Sequence, residues 1–383
     1  MDSAELVREA DKATAARDLA RAAALLERAA ALSPDDFSLW MRIAAIRRGA
    51  GTAREALDAI HTALAIRPRD FTALLMRASL LQQLGASEAG EAWGHALAQK
   101  PEKHLPPQLA PIVSEAEQHY EAWRSEKEAK LKAAMGRAEE RANGEERERI
   151  DRFRTNALRR TRPYHSEPTD FQFPALTERE FHPRRLFPWI DEIEAATEEI
   201  TAEMRQVMAA ERAELVPYVQ FDEHVPMDQW RPLNRNPDWT AIHLLRHGSE
   251  VPANARHCSR TMALLEKFPQ PDIAGASPNA MFSLLAPRTE IPPHVGISNS
   301  RLVCHLPLIV PDGCWFRVGA ETRPWRVGKA FVFDDTIEHA AANPSDELRV
   351  VFIFDVWHPD LSAVERDAVA ALISASSAAG EAM

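Results

Sequence analysis

Residues 292–300 read PPHVGISNS, which sets His294 between a proline pair and a run of small polar residues, just ahead of the apolar stretch LVCHLPLIV. A second histidine, His339 in FDDTIEH, follows 45 residues later, and Arg349 stands ten residues beyond it inside LRVVFIFDV. The chemistry this set suggests is ferrous. Imidazole nitrogen suits Fe(II), and a site that activates O2 must keep positions open for it and for a chelating cosubstrate. A guanidinium in an apolar strand is a costly buried charge unless paired. A dicarboxylate such as 2-oxoglutarate would pair it through two parallel hydrogen bonds. The carboxylate that would complete the site, two residues after the first histidine, is missing, and Gly296 stands in its place. On the residues alone, His294 is either half of a metal site with one ligand lost or a histidine in a loop.

Such residues need strands to hold them. From about Arg162 prolines become frequent, a helical stretch PWIDEIEAATEEITAEMRQVMAA follows, and then short apolar segments alternate with Pro, Gly, Asn and Asp. These segments are AIHLLRHG, AMFSLLAP, RLVCHLPLIV, CWFRVG, KAFVFDD and LRVVFIFDVW. Several short strands separated by turn signals imply a β-sandwich or jelly roll. His294 then lies at the mouth of one strand, His339 after a tight turn, and Arg349 on the next strand. Alternation along a strand puts residues 301, 303 and 305 on one face and Cys304 on the other.

The first hundred residues read differently. PDDFSLWMRIAAIRRGAG begins at Pro34 and PRDFTALLMRASLLQQLG at Pro68, 34 residues apart, and Pro101 follows 33 residues on. Gly51 and Gly85 keep the same spacing where turns between helices are due, and Ala44 and Ala78 keep it where helices must touch. A 34-residue helix–turn–helix period is the mark of tetratricopeptide repeats, whose stacked units grip a peptide or protein partner. Residues 114–161 mix charges of both signs with few apolar side chains and read as an exposed helical connector, broken near Asn143-Gly144.

The expected architecture is multidomain α + β. Tetratricopeptide-like helical repeats occupy 1–110, a charged helical linker 111–165, a double-stranded β-helix (jelly roll) 166–365, and a C-terminal helix or disordered tail 366–383. With 383 residues, 45% of them hydrophobic and 27% charged, the chain can bury sizeable cores. A net charge of −11 speaks against nucleic acid as a partner. Three cysteines without paired spacing, no apolar leader at the start and no 18-residue apolar run lead to the expectation of a soluble cytoplasmic protein without a membrane span.

The stretches PPHVGISNSRL, HLPLIVPDGCWFRV, ETRPWRVGKAFVFDDTIEH and LRVVFIFDVWHPDLS resemble the aspartyl/asparaginyl β-hydroxylase family, a branch of the Fe(II)/2-oxoglutarate-dependent dioxygenases. Weaker similarity runs upstream, so that it covers roughly residues 180 to 365, and repeats ahead of the catalytic domain also occur in the family. The resemblance implies iron held by His294 and His339 alone, with Gly296 as the family's own state. It implies 2-oxoglutarate held by Ser283, His305 and Arg349. It also implies hydroxylation, with O2, of the β-carbon of Asp or Asn in a peptide or protein substrate. The family pattern R-L-R-x-H reads here Arg301-Leu302-Val303-Cys304-His305. Arg301, a candidate substrate-binding residue, is kept and Val303 replaces the second arginine, with Arg317 and Arg288 as the cations considered in compensation. Asp334 and Asp335 are expected to cap a turn, and Trp325 to pack a hairpin. Two other classes fit part of the pattern. One is a non-catalytic, repeat-based interaction protein with a relic metal-binding jelly roll, and the other is a cupin-like metal enzyme that consumes no 2-oxoglutarate.

Overall fold

The computed structural model describes residues 1–101, 105–210, 215–220, 231 and 234–379. The chain divides into two compact units, Met1–Arg160 and Thr161–Met383.

The first unit is built from helix pairs: α1 (Ser3–Ala15) with α2 (Leu19–Leu32), α3 (Phe37–Gly49) with α4 (Ala53–Ile66), and α5 (Phe71–Gln83) with α6 (Ala89–Leu97). The 34-residue period repeats in the details. Asp36 accepts from the amides of Ser38 and Leu39, and Asp70 accepts from the amide of Ala73, so equivalent aspartates cap α3 and α5. Gly51 and Gly85 turn the chain after those helices at φ +82° and +65°, where a side chain would be strained. Ala44 and Ala78 are fully buried between helices. Pro101 is described, but residues 102–104 of the unit it was expected to open lie outside the described residues. The connector consists of α7 (Ala110–Glu139) and α8 (Gly144–Ala157), and the break falls at Asn143, whose side chain caps α8. Val113 and Ala116 of α7 pack with Trp93 and Ala96 in the repeat core. That packing joins α7 to the repeat core, and the first unit runs on to Arg160.

The second unit carries short helices α9 (Ile190–Ala195), α10 (Thr197–Ala209), α11 (Pro252–Ala255) and α12 (Ser259–Leu265), and a final helix α13 (Ala363–Ala379). Its strands are β1 (Phe181–His182), β2 (Leu215–Pro217), β3 (Trp239–Arg246), β4 (Ser249–Glu250), β5 (Ala280–Leu285), β6 (Thr289–His294), β7 (Arg301–Ile309), β8 (Trp315–Val318), β9 (Glu321–Pro324), β10 (Phe331–Phe333), β11 (His339–Asn343) and β12 (Arg349–Trp357). They form two antiparallel sheets. The larger runs β1-β10-β7-β12-β5-β3-β2 with β4 beside β3, and the smaller runs β6-β11-β8-β9. The result is the expected jelly-roll sandwich.

The larger sheet is buried on both faces, so its central strands are near-continuous apolar runs. Its outer face, with Leu302, Cys304, Leu306, Phe352 and Phe354, packs under Ile193, Ile200, Met204 and Leu264 of the helices. Its inner face, with Met281, Val303, Val351 and Ile353, meets Ile291, Phe316 and Val318 of the smaller sheet. The two-residue period therefore sends Cys304 toward the helices, and Ser283, Val303, His305 and Arg349 toward the space between the sheets. α13 docks through Val369 and Ile373 against Trp357 and Leu361.

Candidate active site

His294 ends β6 and His339 opens β11, and the two are direct partners across that antiparallel pair. Their ring centroids lie 4.0 Å apart. His294 Nδ1–H donates to the carbonyl of Pro292 (2.8 Å) and His339 Nδ1–H donates to the carbonyl of Ile337 (3.1 Å). A carbonyl only accepts, so both rings carry their proton on Nδ1 and their lone pair on Nε2, the arrangement of a metal-binding imidazole. Burial keeps both rings neutral: His294 is pushed down to about 4, and His339 well below the usual histidine range by burial and by its neighbour His294.

Between the sheets stands Arg349, 1% exposed. Its NH1 group donates to the carbonyl of Ser283 (3.2 Å) and to Ser283 Oγ (3.3 Å), and its guanidinium lies 4.8 Å over the Trp325 ring. Arg349 Nε finds no hydrogen-bond partner. Burial lowers its pKa to about 10, so the cation persists at neutral pH at an energetic cost. The Ser283 hydroxyl also accepts from Trp239 Nε1 (3.1 Å). His305 accepts at Nδ1 from Trp325 Nε1 (3.4 Å), which leaves its proton on Nε2 as a donor. His305 lies within aromatic contact of Phe316 and Phe333, and both of these also approach His339. Trp239 approaches His294 at 6.2 Å. The structure thus brings five of the six candidate residues, His294, His339, Ser283, His305 and Arg349, into one buried cluster.

The sixth is placed differently. Arg301 NH1 donates to Asp355 Oδ1 (2.9 Å), and its NH2 lies 3.6 Å from Asp335 Oδ2. Arg317 pairs with Glu338 and exposed Arg288 with Asp346, so neither supplies a cation beside Val303. Asp334 caps the turn by accepting from the Thr336 amide (2.9 Å), as expected. Asp335 does not cap. Its carboxylate fills the space beside Gly296, where an added Cβ would come within 2.8 Å of Oδ1 and nearer still to Cγ. Among the described residues no three His, Cys, Asp or Glu side chains form a group that could hold a metal ion. Trp239, Tyr218, Trp325 and Asp335 carried no site role in the sequence reading. Tyr218 stacks on Trp239 at 4.0 Å, and nothing local to Trp325 announces that it braces both His305 and Arg349.

This donor set fits a ferrous ion and a dicarboxylate: two imidazoles in ligand form, a buried guanidinium with an orphaned N–H, a hydroxyl and an imidazole N–H. Residues 194–359 match the family model described as aspartyl/asparaginyl beta-hydroxylase. Through this stretch the chain is similar to that hydroxylase family. Over 145 residues it is 39% identical to the aspartate beta-hydroxylase domain-containing protein 2 of Homo sapiens, covering 37% of this chain and 39% of that protein. Over 142 residues it is 36% identical to the aspartyl/asparaginyl beta-hydroxylase of Mus musculus, covering 37% of this chain and 19% of that protein. The match to the ornithine lipid ester-linked acyl 2-hydroxylase of Rhizobium tropici is 31% over 197 residues, covering 51% of this chain and 66% of that protein. The chain therefore spans less than two thirds of the length of these relatives. The first unit is similar to the Sgt2 TPR domain of Aspergillus fumigatus at 17% identity and a TM-score of 0.28, covering 31% of this chain and 79% of that one. The repeat assignment rests on the chain's own 34-residue period and its helix pairs. No described helix is long and apolar enough to cross a membrane.

Proposed function

We propose that the second unit catalyses Fe(II)- and 2-oxoglutarate-dependent hydroxylation of an unactivated C–H bond, the β-carbon of an aspartyl or asparaginyl residue in a peptide or protein. In balance, R–H, O2 and 2-oxoglutarate give R–OH, succinate and CO2. The observation that carries this reading is the conjunction of two imidazoles, each with Nδ1 tied to a backbone carbonyl, with a buried guanidinium that has an orphaned N–H in the same cluster. Iron supplies O2 activation when bound, and 2-oxoglutarate supplies the electrons. The chain does the rest. His294 and His339 offer Nε2 to the metal. Arg349 takes the distal carboxylate, with the Ser283 hydroxyl and His305 Nε2–H as further donors. Trp239 and Trp325 hold Ser283 and His305 in position through their indole N–H groups. The buried apolar walls exclude water, which strengthens every charge interaction inside. The helical repeats, on this reading, recruit a protein partner or substrate.

Val303 supports a second reading, an acyl chain as substrate, which is what the printed name of the Rhizobium tropici relative says of that protein. The test is succinate formation from 2-oxoglutarate by the full chain with Fe(II) and ascorbate, with and without peptides. Wild type should turn over, while His294→Ala and His339→Ala should fall at least ~100-fold with folding retained by circular dichroism. Equal rates in wild type and both variants would reject the assignment and favour the relic.

A further inference from the structure

The chain enters the second unit as an extended segment. Pro163, Pro168 and Pro174 punctuate the run PYHSEPTDFQFP. Each fixes its own φ and biases the residue before it away from helix. A segment that cannot bond to itself must find partners for its backbone elsewhere. Here it finds them on the two loops that carry the histidines. The Glu167 amide donates to the Thr336 carbonyl (2.9 Å), and Ser166 pairs with Ile337 as an isolated antiparallel bridge. The Thr169 amide donates to the Gly296 carbonyl (3.0 Å) and the Phe171 amide to the Ile297 carbonyl (3.0 Å). Side chains add to this. Ser166, 5% exposed, places its hydroxyl 2.7 Å from that of Thr336. Asn299 accepts at Oδ1 from the Phe173 amide (2.7 Å) and donates through Nδ2 to the Phe173 carbonyl (2.9 Å), as a strand neighbour would. Phe171, Phe173 and Leu176 anchor the far end in the cluster of Trp357 and Leu361.

These contacts reach the imidazoles by short routes. The Ile337 carbonyl accepts from His339 Nδ1, so its position sets the tilt of that ring. Gly296 lies two residues after His294, and its amide donates to the Asp335 carbonyl (2.7 Å), which ties one loop to the other. β6 is an edge strand, and the chain that leaves it after His294 is lined by the extended segment. The segment also lies ahead of residue 194, where the family match begins. With two protein ligands on the metal, the restraint that a third would give must come from whatever holds the loops.

We propose, building on the hydroxylase reading above, that residues 164–173 are a positioning strap for the iron site. The strap pins the loops at 294–299 and 334–339, keeps the two rings in register for one ion, and so raises the affinity for metal. Ser166 and Asn299 are its positioning residues, and they act through the loops.

The experiment titrates the full, metal-free chain with Mn(II), a redox-stable probe of the iron position, and reads free Mn(II) by electron paramagnetic resonance. Ser166→Ala removes the hydroxyl that meets Thr336. Asn299→Asp keeps an acceptor for the Phe173 amide and removes the donor to its carbonyl. Each is expected to raise the Kd for Mn(II) about tenfold, with circular dichroism unchanged. Ser166→Thr, which restores a hydroxyl, should return the Kd toward wild type. His165→Ala, at an exposed strap residue paired with Glu178, should leave it unchanged. Hydrogen exchange of the metal-free variants should lose protection at 294–300 and 334–339 and keep it in β7 and β12. At saturating Fe(II) the KM for 2-oxoglutarate should move less than about twofold, because Ser283, His305 and Arg349 stand on the larger sheet. A wild-type Kd in both variants overturns the proposal and leaves the hydroxylase reading standing. So does a parallel rise in the Kd and in that KM, the mark of a general loss of structure. The two substitutions act at different ends of the strap, so either decides the case if the other does not fold. Mn(II) left unbound by wild type overturns the proposal, and the absence of succinate formation as well defeats the hydroxylase reading with it.

Discussion

Arg349 carries the sharpest consequence for a single residue. A guanidinium that is 1% exposed, with Nε unpaired and its pKa depressed to about 10 by burial, destabilises the protein on its own. On the proposed function a bound dicarboxylate would reverse the sign by supplying the missing anion. Arg349→Met, of similar length and without charge, is therefore expected to leave the melting temperature of the ligand-free protein unchanged or higher. The same change should abolish the rise in melting temperature that 2-oxoglutarate with Mn(II) produces in wild type, and raise the KM for 2-oxoglutarate ~30- to 100-fold. Thermal denaturation with and without the pair of ligands reads both effects. A drop in ligand-free stability in Arg349→Met would mean that the guanidinium is a structural element held by Ser283 and Trp325, not a binding group.

The repeats make the clearest case at the level of elements. Asp36 and Asp70 occupy the same place in successive repeats and satisfy amides that the first turn of a helix leaves open. Asp36→Ala and Asp70→Ala are each expected to lower stability by about 1 kcal/mol, read as a lower denaturant midpoint at unchanged slope. This equivalence was legible in the sequence because repeat helices are stabilised by neighbours at a fixed separation. The strands of the larger sheet were legible too, because burial on both faces writes them as unbroken apolar runs such as RLVCHLPLIV and LRVVFIFDVW. The smaller sheet was harder. β6 reads TEIPPH, and two prolines argue against a strand, yet β6 is an edge strand, where a missing N–H is tolerated. β11 reads HAAAN, poor in β-formers, and exists because β6 and β8 pair with it on both sides. The expected helix over 188–210 is two, α9 and α10, divided at Ala196, where the backbone leaves helical geometry. Within the site, His294, His339, Ser283, His305 and Arg349 stood out as polar residues at the ends or in the midst of apolar strands. Trp239, Trp325 and Asp335 did not, because each acts on a partner 20 or more residues away in the chain, and only the register of the strands supplies that pairing.

The molecule as a whole has a pH dependence that belongs to one unit. Seven histidines of the second unit, His182, His243, His247, His294, His305, His339 and His358, have their pKa values lowered, in each case first by burial. In the folded protein they stay neutral while the unfolded chain takes up protons below the ordinary histidine value of ~6.5. Their contribution to stability is present above that pH and is lost as pH falls toward the folded values. Two aspartates oppose this. Asp334 and Asp335 are raised, first by burial, to about 7 and about 6, so the folded form holds protons that the unfolded chain releases, and acidification over that range adds stability. The histidines outnumber them, and the net expectation for the metal-free protein is a loss of stability between pH 6.5 and 4, confined to residues 161–383. His182 offers a clean test away from the candidate metal ligands. It is 6% exposed, neither ring nitrogen has a hydrogen-bond partner, and its pKa is pushed down to about 3. At pH 5 it alone should withdraw roughly 2 kcal/mol. Hydrogen exchange at pH 7 and pH 5 should show protection lost in the second unit and kept in the repeats. His182→Phe, packed beside Phe187, should raise stability and flatten the acid slope. An unchanged slope in that variant would place the acid sensitivity in the site cluster rather than in the buried histidines outside it.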